Sequence, residues 1–104
     1  MPTDSPRAPG LRATDSGRWL VDGELTLHTV SALVTASGAL FGGDGDIDVD
    51  LAAVSRADSA GVALLVQWRR EARRRQRTVH FHNVPGQMLS IARLCGVDEL
   101  LALN

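Results

Sequence analysis

Between Asp46 and Arg75 the hydrophobic period of the chain changes from two to roughly 3.6 residues, and the change is made within a few residues. In "DIDVDL" Ile47, Val49 and Leu51 alternate with Asp46, Asp48 and Asp50, the pattern of a strand with one buried face. After "VSRADSAGVALL", Gly61, Leu64, Leu65, Trp68 and Ala72 fall on one stripe at about 100° per residue, the pattern of a helix lying on a sheet. The helix is predicted from about Ala60 to Arg75. A strand and a helix joined through "ADSAG" must fold back on each other, so a layered α/β arrangement is the starting constraint.

The rest of the chain extends this unit. Residues 1–16, rich in Pro, Asp, Ser, Thr and Arg without periodicity, read as a mobile tail, and residues 17–104 as one domain. "RWLVDGELTL" places Asp22-Gly23 between two apolar runs and predicts an antiparallel hairpin, Arg18 to Val21 and Glu24 to Leu27. Thr29 can cap a helix with Val30, Leu33, Val34 and Ser37 on one stripe, ending near Gly38. "TVHFH" predicts a strand, Thr78 to His82, and Pro85 introduces a helix, Gly86 to Leu94, stopped by Gly96. The closing "VDELLALN" fits either a short helix or an edge strand. The expected fold is α/β, a mixed sheet with an N-terminal hairpin and later parallel strands, packed with about four helices.

Several function classes are disfavoured. With 104 residues, 44% hydrophobic and 22% charged, the chain has the composition of one globular domain. Four aromatics, Trp19, Phe41, Trp68 and Phe81, supply no stacking platform, and a net charge of -1 supplies no general attraction to nucleic acid or anionic lipid. No stretch reaches the roughly 20 apolar residues of a membrane span, and the N-terminus lacks an apolar signal core, so a cytoplasmic location is expected. Cys95 is the only cysteine and reads as a small apolar residue beside Gly96. Counted from Asp44, the acidic run puts Val49 and Ser55 where a calcium loop needs Gly and Glu. His80 and His82 share a strand face but need a third ligand, and His28 is unplaced, so no metal is expected. Without a phosphate loop or a G-x-S-x-G elbow, no cofactor and no catalytic residue is expected.

The turn itself reads first as helix initiation. Ser59 is the expected N-cap, Asp58 sits at the positive end of the helix dipole, and Gly61 lets the first turn approach the strand that feeds it. A second side of this helix carries Ser59, Val62, Ala63 and Val66, continued by Arg69 and Arg73. Left uncovered, it would be small apolar surface around a hydroxyl, suited to docking. The Arg-rich end, Arg69 to Arg77, reads as a solvated helix terminus.

Taken together, "DVDLAAVSRADSAGVALL", the Arg-rich helix end, "TVHFHNVP" and "MLSIARLCGVDELLAL" resemble the STAS domain of anti-sigma-factor antagonists and MlaB-like proteins, over about Arg18 to Leu103. The resemblance implies a partner-binding site at Asp58, Ser59, Ala60, Gly61, Val62, Ala63 and Val66. In the MlaB-like branch, to which "MLSIARLCGVDELL" is more similar, the partner is the ATP-binding subunit of a phospholipid-transporting ABC system that maintains outer-membrane lipid asymmetry. The chain would then be a non-catalytic cytoplasmic subunit, held at the inner membrane through its partner. In the antagonist branch the partner is an anti-sigma factor kinase, and Ser59 is the phosphorylation site. Ala57 and Ala60 depart from the antagonist pattern, which has a larger apolar residue before the Asp and a second hydroxyl after the Ser.

Overall fold

The computed structural model describes residues 10–103. Four strands, β1 (Gly10–Ala13), β2 (Trp19–Leu25), β3 (Ile47–Ala57) and β4 (Val79–His82), form one sheet in the order β1-β2-β3-β4. β1 and β2 are antiparallel, whereas β2 with β3 and β3 with β4 are parallel. The parallel pairs require crossovers, which are α1 (Val30–Ala36, continued by a 3-10 turn, Ser37–Ala39) and α2 (Ser59–Arg74). A third helix, α3 (Gly86–Leu94), follows β4. The expected mixed α/β sheet is therefore present, with three α-helices among the described residues.

The opening hairpin is real but lies one segment earlier than the sequence suggests. Residues 1–9 of the expected tail lie outside the described residues, while Gly10–Ala13 pairs with β2. The turn is Asp15-Ser16-Gly17, closed by Thr14 N–H donating to Arg18 O at 2.8 Å, with Gly17 at φ +83°. Asp22-Gly23 makes no turn. Gly23 has φ +86° inside β2, beside one of two register shifts between β2 and β3, so its left-handed conformation serves an irregularity in the strand pairing.

β3 is longer than its alternation indicates. Buried residues follow every second position through Ile47, Val49 and Leu51, then every third, at Val54 and Ala57. Each extra residue moves the pleat out of phase, as a bulge does. Asp50 braces the first irregularity by accepting the Ala52 N–H at 2.9 Å, and this bond chiefly holds its carboxyl below the usual range. On the same solvated face His80 pairs with Asp46 at 3.0 Å and His82 with Asp48 at 2.8 Å. The two histidines thus have carboxylate partners, and no group of three or more metal-ligating side chains occurs among the described residues.

The other face carries the core. Trp68 is the largest fully buried side chain, and its indole N–H donates to Ser37 Oγ at 2.7 Å, tying α2 to the end of α1. The predicted stripe Gly61, Leu64, Leu65, Trp68 and Ala72 is buried throughout. Thr29 does not cap α1 with its side chain. Its hydroxyl donates to Glu24 O at 2.7 Å and so locks the helix start to the end of β2. The C-terminal segment is neither a regular helix nor a strand. Leu101 N–H to Val97 O (3.0 Å) and Leu103 N–H to Asp98 O (2.9 Å) make a single turn that buries Leu101 and Leu103, and Asn104 lies outside the described residues.

At Gly61 the start of α2 lies close against the end of β2. A Cβ there would lie 2.7 Å from Leu25 O and 2.9 Å from Leu25 Cβ. Helix propensity favours Ala over Gly by about 1 kcal/mol, while forcing atoms into a packed contact costs about 1–3 kcal/mol. Gly61→Ala is expected to lower the urea midpoint of unfolding; a raised midpoint would show that the contact is not tight.

Candidate functional site

The start of α2 is built from the ends of two neighbouring strands. β3 ends at Ala57, and the Asp58 N–H donates to Leu25 O at 3.1 Å, which aligns the exit of β3 with the end of β2. Asp58, with extended backbone, is the N-cap: its Oδ1 accepts the Ala60 N–H at 2.9 Å. The expectation that Ser59 caps the helix is thereby corrected. The carboxylate one residue earlier reaches the orphan donor, and Ser59 becomes the first helical residue. The second oxygen of Asp58 accepts the Leu27 N–H at 3.1 Å, so one carboxylate joins the loop after β2 to the helix start.

This arrangement frees the Ser59 hydroxyl. Its side chain is exposed and makes no hydrogen bond among the described residues. The other candidate residues divide into two groups. Asp58, Ala60 and Gly61 are half-buried or buried and set the position of the helix. Ser59, Val62, Ala63 and Val66 line one open groove of about 380 Å³, whose opposite wall is Cys95 and Val97, just beyond α3.

Val62 departs from the expectation. It is only 3% exposed, because α3 packs beside α2 and Val62 belongs to the core at the floor of the groove. Ala63 remains exposed and Val66 half-exposed, so the uncovered side is narrower than the helical wheel implies. Cys95 is exposed and forms part of a wall, a placement that its local sequence did not indicate. Leu27, 72% exposed, is a further residue that sequence reasoning missed. Placing the hairpin at Asp22-Gly23 had assigned it to a strand; with the turn at Asp15-Ser16-Gly17 it falls beyond the end of β2, beside Asp58.

Farther along α2 the charges are unevenly matched. Glu71 pairs with Arg74 at 3.0 Å and Arg75 at 2.8 Å, and the Arg75 hydrogen bond holds its carboxyl below the usual range. Arg77 donates to the carbonyls of Gly42, Asp44 and Gly45, clamping the loop before β3.

Replacing Asp58 separates its two bonds. Asp58→Ala removes both and is expected to destabilise by about 1–2 kcal/mol, whereas Asp58→Asn keeps an acceptor for Ala60 but loses the acceptor facing Leu27. Amide exchange should therefore quicken at Leu27 in both variants and at Ala60 only in the alanine variant. Equal rates at Ala60 in the two variants would contradict the assignment of the cap.

No curated protein matches the chain by sequence. The family described as Mlab, STAS domain matches residues 12–102, from β1 through the C-terminal turn. The mixed α/β sheet and this match agree, and the chain belongs to the Mlab, STAS-domain family.

Proposed function

We propose that the chain is a non-catalytic accessory subunit that binds the ATP-binding subunit of a phospholipid-transporting ABC system through the Ser59 side of α2. On this reading it is cytoplasmic and stands at the inner membrane only through its partner. The observation that carries the reading is the exposed Ser59 hydroxyl, unused in capping, with uncovered Ala63 and half-covered Val66 next to it. Such a surface offers a partner one polar handle within small apolar contacts, at low cost in side-chain ordering. Binding also suits the chemistry of the groove better than catalysis does. Among the described residues no imidazole or carboxylate lines it to activate the Ser59 hydroxyl. Among the described residues no helix is long and apolar enough to cross a membrane.

A second reading, an anti-sigma-factor antagonist whose kinase phosphorylates Ser59, draws on the same exposure. A phosphate there would meet the positive end of α2 and place charge on the docking face. Mass spectrometry of Ser59 after incubation with the kinases encoded nearby separates this reading from the first.

The main test is co-purification with the ATP-binding subunit. Ser59→Glu and Ala63→Asp alter exposed positions and are expected to leave the thermal midpoint within a few degrees of wild type. Each should weaken the complex at least tenfold, equivalent to about 1.4 kcal/mol. Undiminished binding by both folded variants would overturn the docking site.

A further inference from the structure

The arginines of α2 are only partly accounted for by contacts within the chain. Arg74 and Arg75 are held by Glu71, and Arg77 by loop carbonyls. Arg69, Arg70 and Arg73 make no salt bridge and no side-chain hydrogen bond among the described residues. Attraction between cations and a helix C-terminus acts within the last turn. α2 ends at Arg74, so that attraction covers Arg73 but leaves Arg69 and Arg70 unexplained. Arg69 with Arg73, and Arg70 with Arg74, are also like charges four residues apart on one helix, an unfavourable spacing.

These residues continue the surface already described. Val66 and Arg70 line the groove beside Ser59 and also a second open depression of about 750 Å³, which Arg69, Arg73, Arg74 and Leu100 complete. Leu100 is 43% exposed. One side of α2 therefore runs from a hydroxyl and small apolar groups to three unpaired guanidinium groups flanked by an exposed leucine.

From this gradient we infer that the occupant is an acidic amphipathic segment of a partner protein. Its apolar side meets Ala63, Val66 and Leu100, and its carboxylates meet Arg69, Arg70 and Arg73. The inference rests on the docking reading of the Ser59 side and adds the partner's charge and the direction in which it lies. Guanidinium forks pair with carboxylates bidentately, which fixes register as well as sign. A protein segment is favoured over an anionic bilayer because the whole chain carries a net charge of -1, leaving the attraction local, and because the guanidinium groups share their open surface with Val66 and Leu100.

The test measures affinity for the ATP-binding subunit at about 50 mM and about 300 mM salt. It compares wild type with a chain carrying Arg69→Glu, Arg70→Glu and Arg73→Glu, and with a milder Arg70→Gln, Arg73→Gln chain in case charge reversal unfolds α2. Vesicles containing about one-third phosphatidylglycerol form a parallel arm. Expected are at least a tenfold loss for the triple variant at low salt, a smaller loss for the double variant, a flatter salt dependence in both, and no vesicle binding. Wild-type affinity in both folded variants would overturn the acidic-partner inference while leaving the docking reading in place. Arginine-dependent binding to vesicles, with salt-independent binding to the subunit, would assign the patch to lipid and overturn it too. Failure of the wild-type chain to bind the subunit at all would remove the docking reading and this inference with it.

Discussion

The first turn of α2 rests on the end of β2, and the rest of the site follows from that contact. Gly61 lies against the Leu25 carbonyl, and the Asp58 carboxylate divides its two oxygens between the N–H groups of Leu27 and Ala60. Two strand ends and one helix start are thereby held together in a few residues. With the cap supplied by Asp58, the following hydroxyl has no structural task. The hydroxyl left over by folding is the group on which the proposed docking rests.

The two bulges in β3 belong to the same construction. They let a strand that begins in strict alternation remain paired with β2 as far as Ala57, which stands opposite Leu25, so that the Asp58 N–H reaches the Leu25 carbonyl. On the solvated face, Asp46, Asp48 and Asp50 are taken up by His80, His82 and by Asn83 with Arg18. The carboxylates of β3 are thus largely matched within the fold. On α2, by contrast, three guanidinium groups stand without a partner among the described residues, and they lie on the side that also carries Ser59.

Elements set by local chemistry were legible in the sequence. The α2 stripe follows from the period of Gly61, Leu64, Leu65, Trp68 and Ala72, and α3 begins after Pro85 and stops before Gly96 as its punctuation indicates. Features that depend on distant partners were not. Asp22-Gly23 and Asp15-Ser16-Gly17 both offer a glycine at positive φ, and only pairing with β1 decides which of them turns the chain. The second half of β3 was hidden because each bulge shifts the alternation by one residue. Val62 shares the groove with Ser59, Ala63 and Val66 as the helical wheel indicates, but a wheel gives an angle and not a neighbour, and Val62 is buried in the core on a helix that packs beside α3. Ser59 is the expected cap of α2, but Asp58 performs that role, because two adjacent capping side chains are told apart only by which one reaches the orphan N–H.

The central claim is that the side of α2 from Ser59 to Val66 faces a protein partner. Photo-crosslinking tests it most directly: a photoreactive residue at Ala63 is compared with one at Ala52, which is exposed on the first bulge of β3. The account predicts crosslinks to the ATP-binding subunit from position 63 and none from position 52. Crosslinks from position 52 with none from position 63 would contradict it.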